Sequence, residues 1–212
     1  MANLMFWQVG DAPLDGAPLA AAIGNFDGVH RGHQKVVAAA CEAANRNGLV
    51  PAVITFDPHP REFFRQDDAP FHLAERVEKD RLLSNLNVDR IIHVSFNEHL
   101  RRTDAKAFVS SVLPALGVKQ LYAGADFAFG RGRGGQIDTI NDYGASVGIA
   151  AFGVPLLQDE NSVVISSSRI RAALQAGDPA AAAAMLGRDW AVTGTVIKGD
   201  QRGRKIGFPT AN

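Results

Sequence analysis

The sequence predicts an α/β fold with a mainly parallel sheet and helices on both of its faces. Short apolar runs typical of buried strands alternate with segments whose apolar residues recur at helical spacing. With 212 residues, of which 46% are hydrophobic, the chain can form one sizeable core and a small addition. A glycine-rich segment lies where the first of these runs gives way to a helix, and such sheets bind ligands beyond the carboxyl ends of their strands.

The predicted elements follow in order along the chain. We expect strands at 19–23, 50–56, 90–96, 120–123 and 149–154. Helices are predicted around 33–46, 74–86, 104–116 and 138–145, then at 168–176 and 179–186. From Trp190 the pattern becomes β-like through Ile197, and a loop rich in glycine and basic residues follows. We therefore expect one domain at 1–187 and a separate remainder at 188–212, which is too short to fold alone.

Composition narrows the range of partners. Lys plus Arg and Asp plus Glu each number 22, so the net charge is zero and a surface for nucleic acid is not expected. The chain has one cysteine, which excludes an internal disulfide and fits a reducing compartment. Residues 1–16 do not resemble a signal peptide, and no apolar run is long enough to span a bilayer. These features predict a cytoplasmic protein without a membrane partner.

The segment 24–33, Gly-Asn-Phe-Asp-Gly-Val-His-Arg-Gly-His, carries the strongest functional signal. His33 falls in or near the first turn of a predicted helix, where free N–H groups and a partial positive charge suit phosphate. Gly24, Gly28 and Gly32 leave room for a ligand close to the backbone. The pattern predicts a cradle for a nucleotide triphosphate. A solvated helix start and a metal site are alternatives, but no carboxylate pattern or second cysteine nearby completes a ligand set.

A second motif, Val-Ile-Thr-Phe-Asp-Pro-His-Pro at 53–60, ends a predicted strand in a stiff loop. Each proline fixes its own φ and restrains the residue before it, so His59 is held at the end of the strand. Phe63 and Phe64 follow directly. These two aromatic side chains either form a wall for a planar ligand or belong to the core.

A third motif covers 123–135, where a predicted strand leads into a loop rich in glycine. If this part is extended, Phe127 and Phe129 lie on the same face because alternate residues point the same way. Arg131 and Arg133 follow in the loop. They are candidates to neutralise phosphate or to act in a mobile flap, and an ordinary surface loop is the alternative.

Two further motifs combine hydroxyl and basic side chains. In Ser-Ser-Ser-Arg-Ile-Arg at 166–171, Ser167 or Ser168 is expected to cap the next helix. Capping does not require the arginines, so an anion clamp at this helix start is the favoured interpretation. In the segment 203–212, Thr210 and Asn212 could place oxygen ligands near a magnesium-bound phosphate, although a plain basic loop has the same composition.

Taken in order, the segments 24–34, 55–60, 126–130, 165–171 and 203–212 resemble the prokaryotic bifunctional riboflavin kinase/FAD synthetase family. The resemblance implies a Rossmann-like nucleotidyltransferase domain, followed here by the incomplete start of a β-barrel. It implies transfer of AMP from ATP to FMN, which gives FAD and pyrophosphate, with Mg²⁺ on the phosphates. A barrel cannot close from one or two strands, so riboflavin phosphorylation is expected only in a complete chain.

The same resemblance implies roles for individual residues. It implies that three side chains act in catalysis, namely His30, His33 and Arg171. It places ATP against Gly24, Asn25, Phe26, Asp27, His30, Gly32, His33, Ser167, Ser168 and Arg171. It places the flavin near His59, Phe64, Asp126 and Phe129. Thr210 and Asn212 match the kinase motif that handles magnesium and ATP, in a site that is incomplete here.

Two other functions are compatible with the same residues. A sister nucleotidyltransferase would keep His30 and His33 and use another acceptor, such as a phosphopantetheine or a nicotinate nucleotide. The phenylalanine-rich segments and Asp126 argue against that acceptor class. The third hypothesis is a flavin- or nucleotide-binding protein without catalysis, which would bind FMN and ATP and release no pyrophosphate.

Overall fold

A six-stranded parallel sheet forms the centre of the molecule. The computed structural model describes residues 1–65, 72–192, 196–197 and 202–207. The strands are β1 Asn3–Trp7, β2 Leu19–Ile23, β3 Val50–Asp57, β4 Arg90–Ser95, β5 Val118–Gly124 and β6 Ala150–Val154. They are arranged in the order β1-β4-β3-β2-β5-β6, and every neighbouring pair is parallel. The predicted α/β class and the parallel sheet are confirmed.

The strand at the sheet edge was not predicted from the sequence. Trp7 is the one buried residue of β1 and Met5 packs partly buried against the core, while Leu4 and Phe6 remain exposed. An edge strand has one neighbour, so it needs little of the continuous apolar character that marks the central strands. The five predicted strands all exist, and their ends differ from the prediction by at most two residues.

Ten α-helical segments surround the sheet within the described residues. They are α1 Arg31–Asn47, α2 Pro60–Phe64, α3 Arg76–Ser84, α4 Glu98–Arg102, α5 Ala105–Ala107, α6 Leu113–Ala115, α7 Ile137–Gly144, α8 Ser167–Gln175, α9 Pro179–Leu186 and α10 Arg202–Lys205. A π-helical turn, Phe108–Val112, joins α5 to α6, and 3₁₀ turns occupy Arg131–Arg133 and Ala145–Val147. The short helices α2 and α4 were not predicted, and α10 stands where a loop was expected.

Helices cover both faces of the sheet, as predicted. On one face, α1 packs on β2 and β3 through an apolar stripe that includes Val37, Ala40 and Ala44, each buried. Gly48 caps the end of α1, and its φ of 63° is the left-handed conformation favoured by glycine. The π-helical turn and α7 pack on the opposite face, where Phe108 and Ile140 join a second apolar cluster.

The strand order creates a switch point between β2 and β5. The chain leaves β2 through α1 and enters β3 on one side, whereas β5 pairs with β2 on the other side. Ligands of open α/β sheets bind outside the carboxyl ends of the strands at such a point. The segment 24–33 leaves the carboxyl end of β2 here, so the fold places it where a ligand is expected.

The C-terminal helices pack against this end of the sheet. Ile170 of α8 and Leu186 of α9 are fully buried in a small cluster with Leu73. Trp190 donates its indole N–H to the carbonyl oxygen of Leu73, at 3.0 Å. The predicted β-like tail begins after this contact. Val192, Val196 and Ile197 are exposed and lie in no strand, whereas Thr193, Thr195, Thr210 and Asn212 lie outside the described residues.

No helix in the described part of the chain combines the length and the hydropathy that a membrane span requires.

Candidate active site

The loop between β2 and α1 has an unusual backbone. Phe26, Gly28 and Val29 all have positive φ, at 52°, 78° and 43°. Such values are uncommon for residues with a side chain, and they cluster at functional sites. A Cβ atom on Gly28 would lie 2.9 Å from the side chain of Leu73, so this position combines a left-handed backbone with a close approach. The loop is therefore held in one conformation by its surroundings.

The two histidines of this loop lie face to face. The ring centroids of His30 and His33 are 3.5 Å apart, with 16° between the ring planes. His30 is the N-cap of α1, and its Nδ1 accepts the backbone N–H of His33 at 3.2 Å. Because Nδ1 accepts, the proton of the neutral imidazole is on Nε2. A Cβ on Gly32 would lie 3.1 Å from the His30 ring, so the glycine between the histidines gives this ring its room.

Both imidazoles are neutral near pH 7. Burial lowers the pKa of His30 to about 4, although the carboxylate of Asp27 opposes the shift. Burial also lowers the pKa of His33 well below its usual value, and the charges of His30 and Lys79 add to this effect. The Nδ1 atom of His33 is buried and lacks a hydrogen-bond partner in the described part of the chain. Two neutral rings at a helix start can donate N–H groups to an anion without adding charge of their own.

Asp27 joins the loop to α8. Its buried carboxylate pairs with the guanidinium of Arg171 and accepts the backbone N–H of Leu73 at 2.9 Å. The hydroxyl of Ser167 donates to the backbone oxygen of Asp27 at 2.9 Å. The structure thus brings Ser167 and Arg171, far along the sequence, onto the loop that carries the histidines.

The start of α8 corrects one detail of the sequence analysis. Ser166 is the N-cap, and its Oγ accepts the N–H of Arg169 at 3.3 Å, whereas Ser167 or Ser168 was predicted to cap this helix. Ser167 is used instead for the contact with Asp27, and Ser168 is exposed. Arg169 points away from the site, since it forms an ion pair with Asp159 at 2.6 Å.

An aromatic cavity of about 860 Å³ opens beside the loop. The four predicted flavin-side residues all line it, although Phe129 is largely buried and Phe64 is exposed. Gly24 and Asn25 form the part of its wall that belongs to the loop. Its other aromatic and basic lining residues are Phe56, Phe96, Phe108, Phe127, Arg61, Arg101, Arg131 and Arg133.

The two arginines of the third motif are part of this cavity. Phe129 and Gly135 form an isolated antiparallel bridge, which closes the glycine-rich segment into a compact turn carrying Arg131 and Arg133. The rings of Phe127 and Phe129 stack at 5.7 Å, as expected for residues on one face. The segment is thus a wall of the cavity.

His59 stands between this cavity and a smaller polar one. Its Nδ1 accepts the backbone N–H of Arg61 at 3.0 Å, and its own backbone N–H donates to Glu62 at 3.1 Å, so it caps α2. The polar cavity has a volume of about 240 Å³ and shares Asn25, Phe56 and His59 with the aromatic cavity. Burial lowers the pKa of His59, which favours a neutral ring at this boundary.

Two basic residues near the loop were not predicted from the sequence. Lys79 lines the polar cavity from α3, and Arg188 donates to the carbonyl oxygen of Gly28 at 2.8 Å. Neither residue belongs to a local motif, so only the tertiary fold reveals its position. His30 and His33 themselves line neither of the two cavities, since His30 is buried and His33 is half-buried.

The described residues do not supply a metal site of their own. Within these ranges, no group of three or more His, Cys, Asp or Glu side chains is arranged to hold a metal ion. The predicted metal-motif residues Thr210 and Asn212 lie outside the described residues.

Comparison with known proteins places this site in a family. The FAD synthetase family model matches residues 14–169, and the riboflavin kinase model matches residues 186–212. The bifunctional riboflavin kinase/FMN adenylyltransferase of Escherichia coli K12 is 39% identical over 97% of this chain, and that of Bacillus subtilis 168 is 40% identical over 90%. These matches cover 65% and 60% of the two relatives, so the chain spans less than two thirds of their length.

Solved structures agree on the architecture. A Streptococcus pneumoniae crystal structure described as a macrolide-efflux protein superposes with a TM-score of 0.83 at 27% identity, covering 98% of this chain and 68% of that one. A pantoate-beta-alanine ligase from Francisella tularensis superposes with a TM-score of 0.50 at 12% identity, covering 80% and 73%, and shows the fold alone. With the family match across most of its length and its loop of paired histidines at the switch point, the chain belongs to the FAD synthetase family.

Proposed function

We propose that this chain is an FMN adenylyltransferase, which transfers AMP from ATP to FMN and releases pyrophosphate. The observation that carries the proposal is the adjacency of two sites. The loop that ends in the histidine-bearing helix start, which is suited to phosphate, also contributes Gly24 and Asn25 to the wall of an aromatic cavity large enough for a flavin. Nucleotide and acceptor would therefore meet across these two residues.

The proposed reaction needs no nucleophile from the protein. An oxygen of the FMN phosphate attacks the α-phosphorus of ATP, a new P–O bond forms, and the bond to the bridging oxygen of the pyrophosphate breaks. Catalysis then depends on alignment and on stabilising charge that develops on the phosphates. We assign ATP to Gly24, Asn25, Phe26, Asp27, His30, Gly32, His33, Ser167, Ser168 and Arg171.

Three of these residues would act on the phosphates directly. The Nε2–H of His30, together with His33 and the helix start, would hold the triphosphate. Arg171 is paired with Asp27, and we propose that its guanidinium also acts on the departing pyrophosphate. On the acceptor side, His59, Phe64, Asp126 and Phe129 would contact the flavin.

We propose that Mg²⁺ enters with ATP, carried by the phosphate oxygens. Mg²⁺ keeps several waters and commonly uses few protein ligands when it is bound to a nucleotide. The residues described here offer no set of three ligands, so we assign it no protein site and no separate step.

The C-terminal part bears on the second activity. We propose that residues 1–187 form the adenylyltransferase domain and that 188–212 begin a riboflavin kinase barrel, in line with the riboflavin kinase match at 186–212. Riboflavin phosphorylation would require the whole of that barrel, and a protein that has both parts would carry both activities. We also propose a cytoplasmic location, because a single cysteine suits a reducing compartment.

One assay tests the function. The chain is incubated with ATP and Mg²⁺, and FMN or riboflavin is offered in separate reactions, with chromatographic identification of flavins and pyrophosphate. We expect FAD from FMN and no product from riboflavin. Tight FMN binding without pyrophosphate would support the non-catalytic hypothesis. Turnover of a phosphopantetheine or a nicotinate nucleotide, but not of FMN, would identify a sister nucleotidyltransferase.

A further inference from the structure

Lys79 is a buried cation that lines the polar cavity and has no part in the proposed reaction as described so far. It lies on α3 and is 9% exposed, whereas Lys35, Lys106 and Lys119 are all exposed. Burial of an ammonium group is costly unless hydrogen bonds and opposite charges compensate for it. A lysine that stays buried on a short helix therefore has a specific set of partners.

Those partners connect Lys79 to the loop that carries the histidines. Its Nζ donates to the hydroxyl of Thr55 at 3.2 Å, and this hydroxyl donates to the backbone oxygen of Asn25 at 3.2 Å. Thr55 lies on β3 and is fully buried. The Thr55 hydroxyl therefore accepts from Lys79 and donates to Asn25, so a continuous chain of hydrogen bonds runs from α3 through Thr55 to the loop.

The surroundings of Lys79 are charged. The carboxylates of Asp27, Asp57 and Asp80 favour its charged form, while burial acts more strongly and lowers its pKa. The ammonium also lies close enough to His33 to lower the pKa of that imidazole. Lys79 thus shares an electrostatic environment with the groups assigned to the phosphates, in addition to the hydrogen bonds.

We propose that Lys79 is a positioning residue for adenylyl transfer, which fixes the loop at Asn25 through the hydroxyl of Thr55. This inference rests on the proposed function. Asn25 belongs both to the histidine loop and to the wall of the aromatic cavity, so a shift of its backbone changes the distance between nucleotide and acceptor. Misplacement of reacting groups by about 1 Å can cost about a hundredfold in rate.

The test uses four variants and one control. Lys79→Met keeps the apolar part of the side chain and removes the ammonium donor, whereas Lys79→Arg keeps a positive charge. Thr55→Val keeps the shape of the side chain and removes the hydroxyl. The double variant Lys79→Met/Thr55→Val tests whether both residues act through one chain, and Lys119→Met changes an exposed lysine elsewhere. For each protein we measure kcat and KM for FAD formation, the fraction folded, and the Kd for a non-hydrolysable ATP analogue.

We expect Lys79→Met and Thr55→Val each to lower kcat about ten- to a hundredfold per folded molecule. The double variant should be no slower than the slower single variant, because either change alone already interrupts the hydrogen bonds between Lys79 and Asn25. Lys79→Arg should recover part of the rate, and Lys119→Met should match the wild type. Multiplying effects in the double variant, or losses that follow only the folded fraction, would overturn the proposal.

The design separates this inference from the function on which it rests. If the wild-type chain forms no FAD, the proposed function fails, and the ATP-analogue Kd then tests the loop alone. A Kd weakened about tenfold or more by Lys79→Met, but not by Lys119→Met, would still support positioning of the loop. An unchanged Kd in that case would overturn it.

Discussion

At the scale of single residues, Gly32 controls the geometry of the two histidines. It separates His30 from His33 in sequence, and its hydrogen faces the His30 ring at a point where a Cβ would lie 3.1 Å from Cε1 and Nδ1. Nδ1 is also the acceptor that holds the backbone N–H of His33. A methyl group at this position would push against the imidazole and its hydrogen bond together.

We therefore predict that Gly32→Ala separates activity from stability. Displacement of His30 should lower kcat/KM for FAD formation about tenfold or more. Alanine is favoured over glycine in helices by up to about 1 kcal/mol, which offsets the disturbed cap of α1, so the free energy of unfolding should change by no more than about 1 kcal/mol. Steady-state kinetics and urea unfolding measure the two effects. Gly153→Ala is the control, since its Cβ would sit at an ordinary 3.6 Å from Ala125, and normal activity in Gly32→Ala would refute the prediction.

Protonation of His30 provides a prediction of pH dependence. Its pKa is about 4 in the folded chain and near 6.5 when unfolded, because burial disfavours the charged ring. The unfolded state therefore binds more protons below pH 6.5, and the free energy of unfolding should fall as the pH drops from about 6.5 toward 4. The contribution of His30 is on the order of 3 kcal/mol.

Urea unfolding at a series of pH values measures this effect. Replacement of His30 by asparagine removes the titrating group, so the variant should lose less stability across the same interval than the wild type. Parallel curves for the two proteins would show that His30 is not buried as a neutral ring. His33 and His59 have pKa values lowered in the same direction, and they leave some pH dependence in the variant.

At the scale of elements, sequence patterns predicted the bounds of helices and strands best where burial is continuous or where proline and glycine mark the ends. β2 and α9 have the predicted bounds because every residue of β2 is buried, and because proline and glycine mark the two ends of α9. β1 was missed because it is exposed along most of its length. The π-helical turn Phe108–Val112 was also not predicted, since its residues keep an ordinary helical pattern. In the structure, the ring centroids of Phe108 and Phe129 are 5.1 Å apart.

The candidate site was predictable only where its residues are adjacent in sequence. His30 and His33 could be found from one motif, and resemblance added residues from distant motifs. Lys79 has no such signal, because a lysine in an amphipathic helix usually faces solvent, and here the packing of α3 on the sheet buries it. Arg188 was assigned to the start of the second domain, and its contact with Gly28 depends on the path of the chain after α9.

This path leads to a prediction about the segment after α9. Arg188 donates to the carbonyl oxygen of Gly28, and Gln34 donates to the carbonyl oxygens of Val29 and Leu186, at 2.9 and 3.0 Å. We expect Arg188→Met to lower both FAD formation and the free energy of unfolding, the latter by about 1–3 kcal/mol for a lost charged hydrogen bond. Enzyme kinetics and urea unfolding measure the two effects.

A matched control separates position from charge. Arg46→Met removes an exposed arginine at the end of α1, and we expect wild-type activity and stability within about 0.5 kcal/mol. If Arg188→Met behaves like this control, the residues after α9 act only as a connection. If it behaves as predicted, the adenylyltransferase site extends across the proposed domain boundary at 187.

At the scale of the whole molecule, the site is assembled from parts that lie far apart in the chain. The histidine loop follows β2, His59 follows β3, Asp126 follows β5, and Arg171 comes from α8. No local stretch contains the site, so its parts meet only when the sheet and the C-terminal helices are both folded. A ligand that contacts several of these parts must therefore stabilise the folded chain as a unit.

This assembly predicts a cooperative response to ligands. A non-hydrolysable ATP analogue at about a hundred times its Kd should add about 2.7 kcal/mol to the free energy of unfolding. For a chain of this size, that corresponds to a rise of roughly 5–10 °C in Tm by calorimetry. FMN added with the analogue should raise Tm further, because the aromatic cavity shares Gly24 and Asn25 with the loop. His30→Ala/His33→Ala should lose most of the analogue's effect and keep any shift caused by FMN alone. An equal analogue shift in this variant and in the wild type would place the triphosphate elsewhere on the molecule.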